Sequence, residues 1–204
     1  MNSSRLNQGM TLIETSVALG VFSIVFVAMA AFQANIFIHQ RTVAGSLQTV
    51  QDAQIILKTM LAELRSAAPA VNGIYTIATA ATSSLSFFSD PKNTGQTQKI
   101  TYSLIGNKFY RAVITPSGSP LWYNPATQST TTLLTDARNV PTLPVFQYYD
   151  QNYTGTSSPM TMPVNVSSIH LISVALTLDI DPNRSPTPRT YTTQISLRNL
   201  KTNL

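Results

Sequence analysis

The sequence predicts an α+β protein: a long N-terminal α-helix, apolar in its lower half and amphipathic in its upper half, packed on a C-terminal antiparallel β-rich head. Three observations carry that expectation. All 12 prolines lie at Pro69 or beyond, and between Leu6 and Gln40 the only charged side chain is Glu14. The hydrophobic repeat changes from three-and-four to two after residue 70. The chain is two different materials joined near residue 68.

Composition narrows the function classes before any motif is read. A length of 204 residues leaves room for one modest domain and an appendage. With 13 Lys+Arg against 8 Asp+Glu, the net charge is +5 and charged residues make up only 10%. So few charges argue against a disordered polar tail, a nucleic-acid arm or a coiled-coil rod. The absence of cysteine excludes disulfide scaffolds, zinc ribbons and cysteine nucleophiles, and His39 and His170 are too far apart for a zinc or copper cluster of ordinary spacing. The low charge density points to an extracytoplasmic or membrane-attached protein.

The first element is the apolar helix. From Leu12 to Phe32 run 21 residues without Lys, Arg, Asp, Asn, Gln or Pro. At about 1.5 Å of rise per residue this is a helix of roughly 30 Å, the thickness of a bilayer's hydrocarbon core. A core helix of a soluble protein would be unusual at this length and position. A secretory signal peptide needs a shorter apolar region and then a small-residue cleavage site, which QANIFIHQRTV does not provide. Glu14 is the anomaly. A carboxylate inside a span costs a few kcal/mol or more, so by default it has a function and a partner. The span offers no cation, since the nearest basic side chains are Arg5 and Arg41. A free amine made by cutting the chain just before Glu14 would serve.

Helical periodicity then continues through residues 39–68, with Val43, Leu47, Val50, Leu57, Leu61 and Leu64 on one face and Arg41, Gln48, Asp52, Lys58 and Arg65 on the other. Gly45 lowers helix propensity and marks a possible bend, and Pro69 marks the end. A coiled coil is the alternative, but the pattern is short and Gln54 interrupts it. From residue 70 the alternation predicts strands near 73–78, 84–88, 99–104, 109–114, 131–134, 145–149, 168–180 and 190–197. Gly106 and Asn107, between two alternating runs, predict a tight hairpin.

The segment NQGMTLIETSVALGVFSIV resembles the cleavage signal of type IV prepilins and pseudopilins: a short polar leader ending in Gly9, then Met10, then a glutamate four positions on, Glu14, inside an uninterrupted apolar helix. The resemblance implies a leader of residues 1–9 removed by a prepilin peptidase between Gly9 and Met10, with N-methylation of the new Met10 amine. It implies a transmembrane or filament-core helix over residues 10–38, its amphipathic continuation over 39–68, and an extracytoplasmic pilin-like head over 69–204. Glu14 would neutralise the terminal amine of an adjacent subunit, because two opposite charges taken out of water together lose less than either alone. Most family members begin the mature chain with Phe, where this one has Met10. Many major members carry a helix-breaking proline where this chain has Ala31, which suggests an unkinked span.

The head resembles, more weakly, the J subfamily of type II secretion minor pseudopilins and the related minor pilins called W. The matching positions are Tyr102, Leu104, Tyr110 and Arg111; Phe146, Tyr148, Tyr149 and Asp150; and Leu197, Arg198 and Asn199. Structural roles suffice for these, with aromatics filling a sheet face. The implied function is a low-abundance structural subunit near the tip of a pilus or pseudopilus, helping to initiate assembly. Its partners would be other pilins, the prepilin peptidase, membrane lipid before assembly, and an inner-membrane platform driven by a cytoplasmic ATPase. The N-terminus would be cytoplasmic and the head extracytoplasmic. The alternative is a single-span membrane-anchored extracytoplasmic binding protein.

No catalytic constellation emerges. There is no G-x-S-x-G elbow and no Gly-rich phosphate loop followed by Lys, and His170 falls in an apolar strand with no evident acid beside it. No cofactor is implied. Asp179 and Asp181, in LDIDPN, are weak candidates for calcium on one strand face, with turn formation before Pro182 as the plainer explanation. The basic, proline-rich PNRSPTPR segment reads as a solvated connection; contact with nucleic acid is the other possibility.

Overall fold

The computed structural model describes residues 11–179 and 188–197, and for residues 34–49 only the course of the backbone. One helix, α1, spans Leu12–Arg65. Among the described residues eight strands follow: β1 Ile77–Ala80, β2 Ser84–Ser89, β3 Gln98–Ile105, β4 Lys108–Ile114, β5 Ser129–Leu134, β6 Phe146–Tyr149, β7 Leu171–Leu178 and β8 Arg189–Ser196. The protein is therefore α+β. It divides into two compact units, Met1–Leu47 and Gln48–Leu204, so the last part of α1 belongs with the strands.

In the first unit, residues 12–33 form a helical stretch long and apolar enough to cross a membrane. Its side chains are exposed on every side of the helix. In the second unit, the strands form two antiparallel sheets, β1-β2-β3-β4-β5 and β6-β7-β8. The Gln48–Arg65 part of α1 contributes Ala53, Ile56, Leu57, Met60 and Leu64 to one hydrophobic cluster shared with both sheets. On the sheets, direct cross-strand pairing puts Leu85, Tyr102 and Arg111 on one face, with Phe87, Ile100 and Val113 beside them. Of the aromatics expected to fill a sheet face, Tyr102, Phe146 and Tyr148 are wholly buried and Tyr149 is buried, while Tyr110 is only half-buried.

The helix faces and several boundaries differ from the sequence reading. The buried stripe runs through Ala53, Ile56 and Met60, while Leu61 and Val50 are only half-buried and Ile55 is exposed. Of the expected apolar face Leu57 and Leu64 are buried, and alanine and methionine complete the stripe. Asp52, Lys58 and Arg65 are exposed as expected. The helix passes through Gly45 and ends at Arg65, before Pro69. There the Ser66 hydroxyl donates to the Ala62 and Glu63 carbonyls, and the chain leaves to join the edge of β2, with the Ala68 N–H donating to the Phe88 carbonyl.

The strand expected over 73–78 begins only at Ile77. Gly73 has φ +79° in a turn closed by its own N–H on the Ala70 carbonyl, so residues 70–75 form a loop. The strand expected over 168–180 is β7 alone. Val166–Ser168 is a short 3-10 helix capped by the Asn165 side chain, and His170 precedes the strand rather than lying within it. Asp179 follows the end of β7, and Asp181 lies outside the described residues. The β3–β4 hairpin has Gly106 and Asn107 at its tip, as the alternation required.

Candidate functional site

Two carboxylates on α1 define the chemistry worth examining. The first, Glu14, sits in the first turn of the helix. The other polar side chains around it answer their own needs. The hydroxyls of Thr15, Ser16 and Ser23 donate to the carbonyls four residues back, those of Thr11, Leu12 and Leu19, at 2.8 to 2.9 Å. Within residues 12–33 this back-bonding engages each hydroxyl with its own helix. Glu14 lacks an equivalent. Its Oε2 lies 3.5 Å from the Thr11 N–H, a marginal hydrogen bond, and no cationic side chain is paired with it among the described residues.

Thr11 and Glu14 have the T-x-x-E spacing of a helix capping box, with the glutamate reaching back to the cap's N–H. That signal was legible in the sequence and adds a local role to Glu14. It also aims the carboxylate toward the helix N-terminus, where negative charge is favoured by the helix dipole. Gly9 and Met10, the residues of the expected cleavage, lie outside the described residues.

The second carboxylate, Glu63, is one that sequence reasoning missed. It is buried at 5% exposure where α1 crosses the five-stranded sheet. Its Oε2 accepts from the Tyr102 hydroxyl at 2.7 Å and from Arg111 Nε at 3.3 Å, and its Oε1 pairs with Arg111 Nη2 at 2.5 Å. The Glu63 carbonyl accepts from Ser89 Oγ at 2.7 Å, and Ser89 also bonds the Ser66 hydroxyl at 2.8 Å. Helix and sheet are thus joined by charge and by a chain of hydroxyls. Burial, reinforced by the nearby Glu63 charge, pushes the Tyr102 hydroxyl far above its usual range. Burial lowers the Arg111 value, but the hydrogen bond and charge of Glu63 outweigh it and hold the guanidinium charged. Glu63 falls three residues after Met60 and seven after Ile56, on the buried stripe. An acid at that phase was the available clue.

The remaining candidates are separated by the structure. Of the weak calcium pair, only Asp179 is described: it is 8% exposed, with its N–H on the Asp136 carbonyl. Among the described residues no group of three His, Asp or Glu is placed to hold a metal ion. His170 does have an acid near it, contrary to the sequence reading. Pairing of Tyr149 with Leu171 brings Asp150 and His170 together at the end of β6 and β7, where they line a cavity of about 280 Å³ with Gln151, Ser167 and Ser168. The Asp150 carboxylate is occupied by the N–H and side-chain amide of Asn152, and Ser167 Oγ by Asn165. His39 has no described side chain, and Arg198, Asn199 and residues 182–187 of the basic segment lie outside the described residues.

No protein-family model matches the chain, and no curated protein matches it.

Proposed function

We propose that this chain is a minor pilin or pseudopilin: a membrane-inserted precursor trimmed between Gly9 and Met10, then packed as a low-abundance subunit near the tip of a type IV pilus or type II secretion pseudopilus. The reading draws on the resemblance of its N-terminal segment to the prepilin signal. The observation that carries it is Glu14. In a helical stretch whose side chains are apolar all round and whose hydroxyls bond their own backbone, one carboxylate has an unmet demand for positive charge. The Met10 amine of an adjacent subunit, exposed by trimming, meets that demand.

In this mechanism the chain does three things. Its apolar surface exchanges lipid contact for contact with neighbouring helices, which alone gives little preference for one axial position. The pairing of Glu14 with a terminal amine then selects one register, the role for which buried polar groups are best attested. The head remains outside the membrane. Movement into the filament is driven by the assembly platform and its cytoplasmic ATPase.

The capping contact of Glu14 favours a second reading, a single-span anchor holding an extracytoplasmic binding head, in which Glu14 merely starts the helix. Two measurements separate them. Intact mass of the membrane-purified protein should give a chain beginning at a methylated Met10, and Gly9→Val should block the trimming. Glu14→Ala should leave insertion and trimming intact but abolish entry into filaments. A native chain that retains Gly9, or normal incorporation of Glu14→Ala, overturns the proposal in favour of the anchor.

A further inference from the structure

The two sheets have four outer edges, and three of them are closed to a further strand. β1 is four residues long, is broken by a bulge between Ile77 and Thr79, and packs beside the 3-10 helix of Val166–Ser168. β5 carries a bulge of its own: Phe109 pairs with Leu134 and Tyr110 with Thr132, which leaves Leu133 without a partner on β4. β6 is four residues long and is covered: on its outer side the Phe146 N–H donates to the Thr82 carbonyl, and the Tyr148 carbonyl accepts from the Met160 N–H at 2.8 Å. Short length, bulges and covering are the usual protections of an edge. β8 has none of them. It runs eight residues in unbroken register with β7, without proline, and its one charge is Arg189 at the first position.

That register decides which groups face outward. The Leu197 N–H bonds the His170 carbonyl, so by the antiparallel alternation Tyr191, Thr193 and Ile195 turn their backbone groups to β7, and Thr190, Thr192, Gln194 and Ser196 turn theirs away from it. No other segment among the described residues hydrogen-bonds to those outward groups. Beside the edge lies a cavity of about 510 Å³, lined by Gln194, Ile195 and Ser196 of β8 and by Arg65 in the last turn of α1. Arg65 is exposed and pairs with no carboxylate among the described residues. A row of open amides and carbonyls therefore runs into a cavity that holds a free cation.

We propose that β8 is the docking edge for an extended segment of a different polypeptide, which pairs antiparallel with it and carries a carboxylate toward each end, one of them received by Arg65. In this mode main-chain pairing holds the segment and the side chains along the edge select it. Charge disfavours the occupants closer to hand. A second copy of this chain offers no unprotected edge but its own β8, and antiparallel pairing of β8 with β8 sets the Arg65 end of each against the Arg189 end of the other. The chain beyond Leu197 contains Arg198 and Lys201 and no acidic side chain. Both bring cation to cation, where an acidic segment brings its opposite. The edge and the cavity lie within Gln48–Leu204, so the inference stands for a filament subunit and for a membrane anchor alike.

The probe is the acetylated, amidated octapeptide ETVTVTET, titrated against the full-length protein in a non-ionic detergent. Binding should saturate, and hydrogen exchange over Thr190–Ser196 should slow roughly tenfold in the complex while exchange over β5 stays unchanged. The same peptide with Lys for both Glu should bind roughly tenfold more weakly. The peptide N-methylated throughout should not bind, because it has no N–H to offer the edge. Arg65→Glu should weaken binding of the original peptide about threefold, the scale of one exposed ion pair. Thr192→Pro should abolish binding with the dichroism of the head unchanged, since proline removes an outward N–H that β7 does not use. Should that variant lose its native spectrum, the N-methylated peptide makes the same test without touching the fold. A native head with no saturable binding overturns the inference, as does equal binding of the N-methylated peptide or indifference to Arg65→Glu. Dimers of the unliganded protein in sedimentation, separated by Thr192→Pro, would give the edge to a second copy instead. Protection of Thr192 and Gln194 in the unliganded monomer would give it to the chain's own terminus.

Discussion

Two carboxylates on one helix meet opposite circumstances. Glu63 is enclosed with a guanidinium, a phenol and two hydroxyls around it, while Glu14 has only a marginal contact to an amide. For Glu63, removing one partner leaves a charge stranded at the helix–sheet junction. Breaking such a buried pair costs about 3–5 kcal/mol. The low end applies here, because a quarter of the Arg111 side chain still meets water. Arg111→Met should therefore destabilise the head by roughly 3 kcal/mol. Glu63→Leu combined with Arg111→Met should recover most of the loss, since neither charge is then left unpaired. Denaturant unfolding in detergent, followed by near-ultraviolet circular dichroism, provides the cycle; additive losses in the double variant would show that the pair is not coupled.

Among the elements, the β3–β4 hairpin shows how far local sequence decides structure. Gly106 has φ +62°, and Asn107 is not among the residues of positive φ, the pattern of a II′ turn with glycine at its first central position. A Cβ on Gly106 would meet nothing within 4 Å, so a substitution there is penalised by the backbone alone. Gly106→Val should cost about 1–2 kcal/mol through left-handed strain, without loss of packing. A shift of the thermal midpoint with an unchanged dichroism spectrum is the expected result, and a variant as stable as the parent would refute the strain argument. The same hairpin has a tie that alternation did not reveal: Asn107 Nδ2 donates to the Thr135 carbonyl at 2.6 Å, and its own carbonyl accepts from the Ala137 N–H. Strand existence was readable because period two is a local property. The loop at 70–75 and the 3-10 helix before β7 were not, because turns closed by Gly73 and capped by Asn165 interrupt runs that look continuous by hydropathy.

At the scale of the whole molecule, the division into materials at residue 68 was legible in the prolines, but the division into bodies falls after Leu47, within the amphipathic half of the helix. Its Gln48–Arg65 part buries Ala53, Ile56, Met60 and Leu64 against strands, while residues 11–33 bury nothing within the chain. The phase of Glu63 was legible but its partners were not: Tyr102 and Arg111 come from β3 and β4, and only the register between those strands brings them together. Two bodies, of which only the second has a described core, should respond separately to substitution. Val25→Arg places a cation in the middle of the apolar stretch, far from Glu14, where a charge costs about 2.5–3.5 kcal/mol in a membrane. It should reduce the fraction of protein resisting alkaline extraction from membranes several-fold. The head, with Glu63, Arg111 and its hydrophobic cluster untouched, should unfold at the same denaturant concentration as the parent in detergent. If the two responses move together, with head stability falling as membrane retention falls, the separation of the chain into independent bodies is wrong, and with it the idea that the apolar stretch can leave lipid for a filament without disturbing the head.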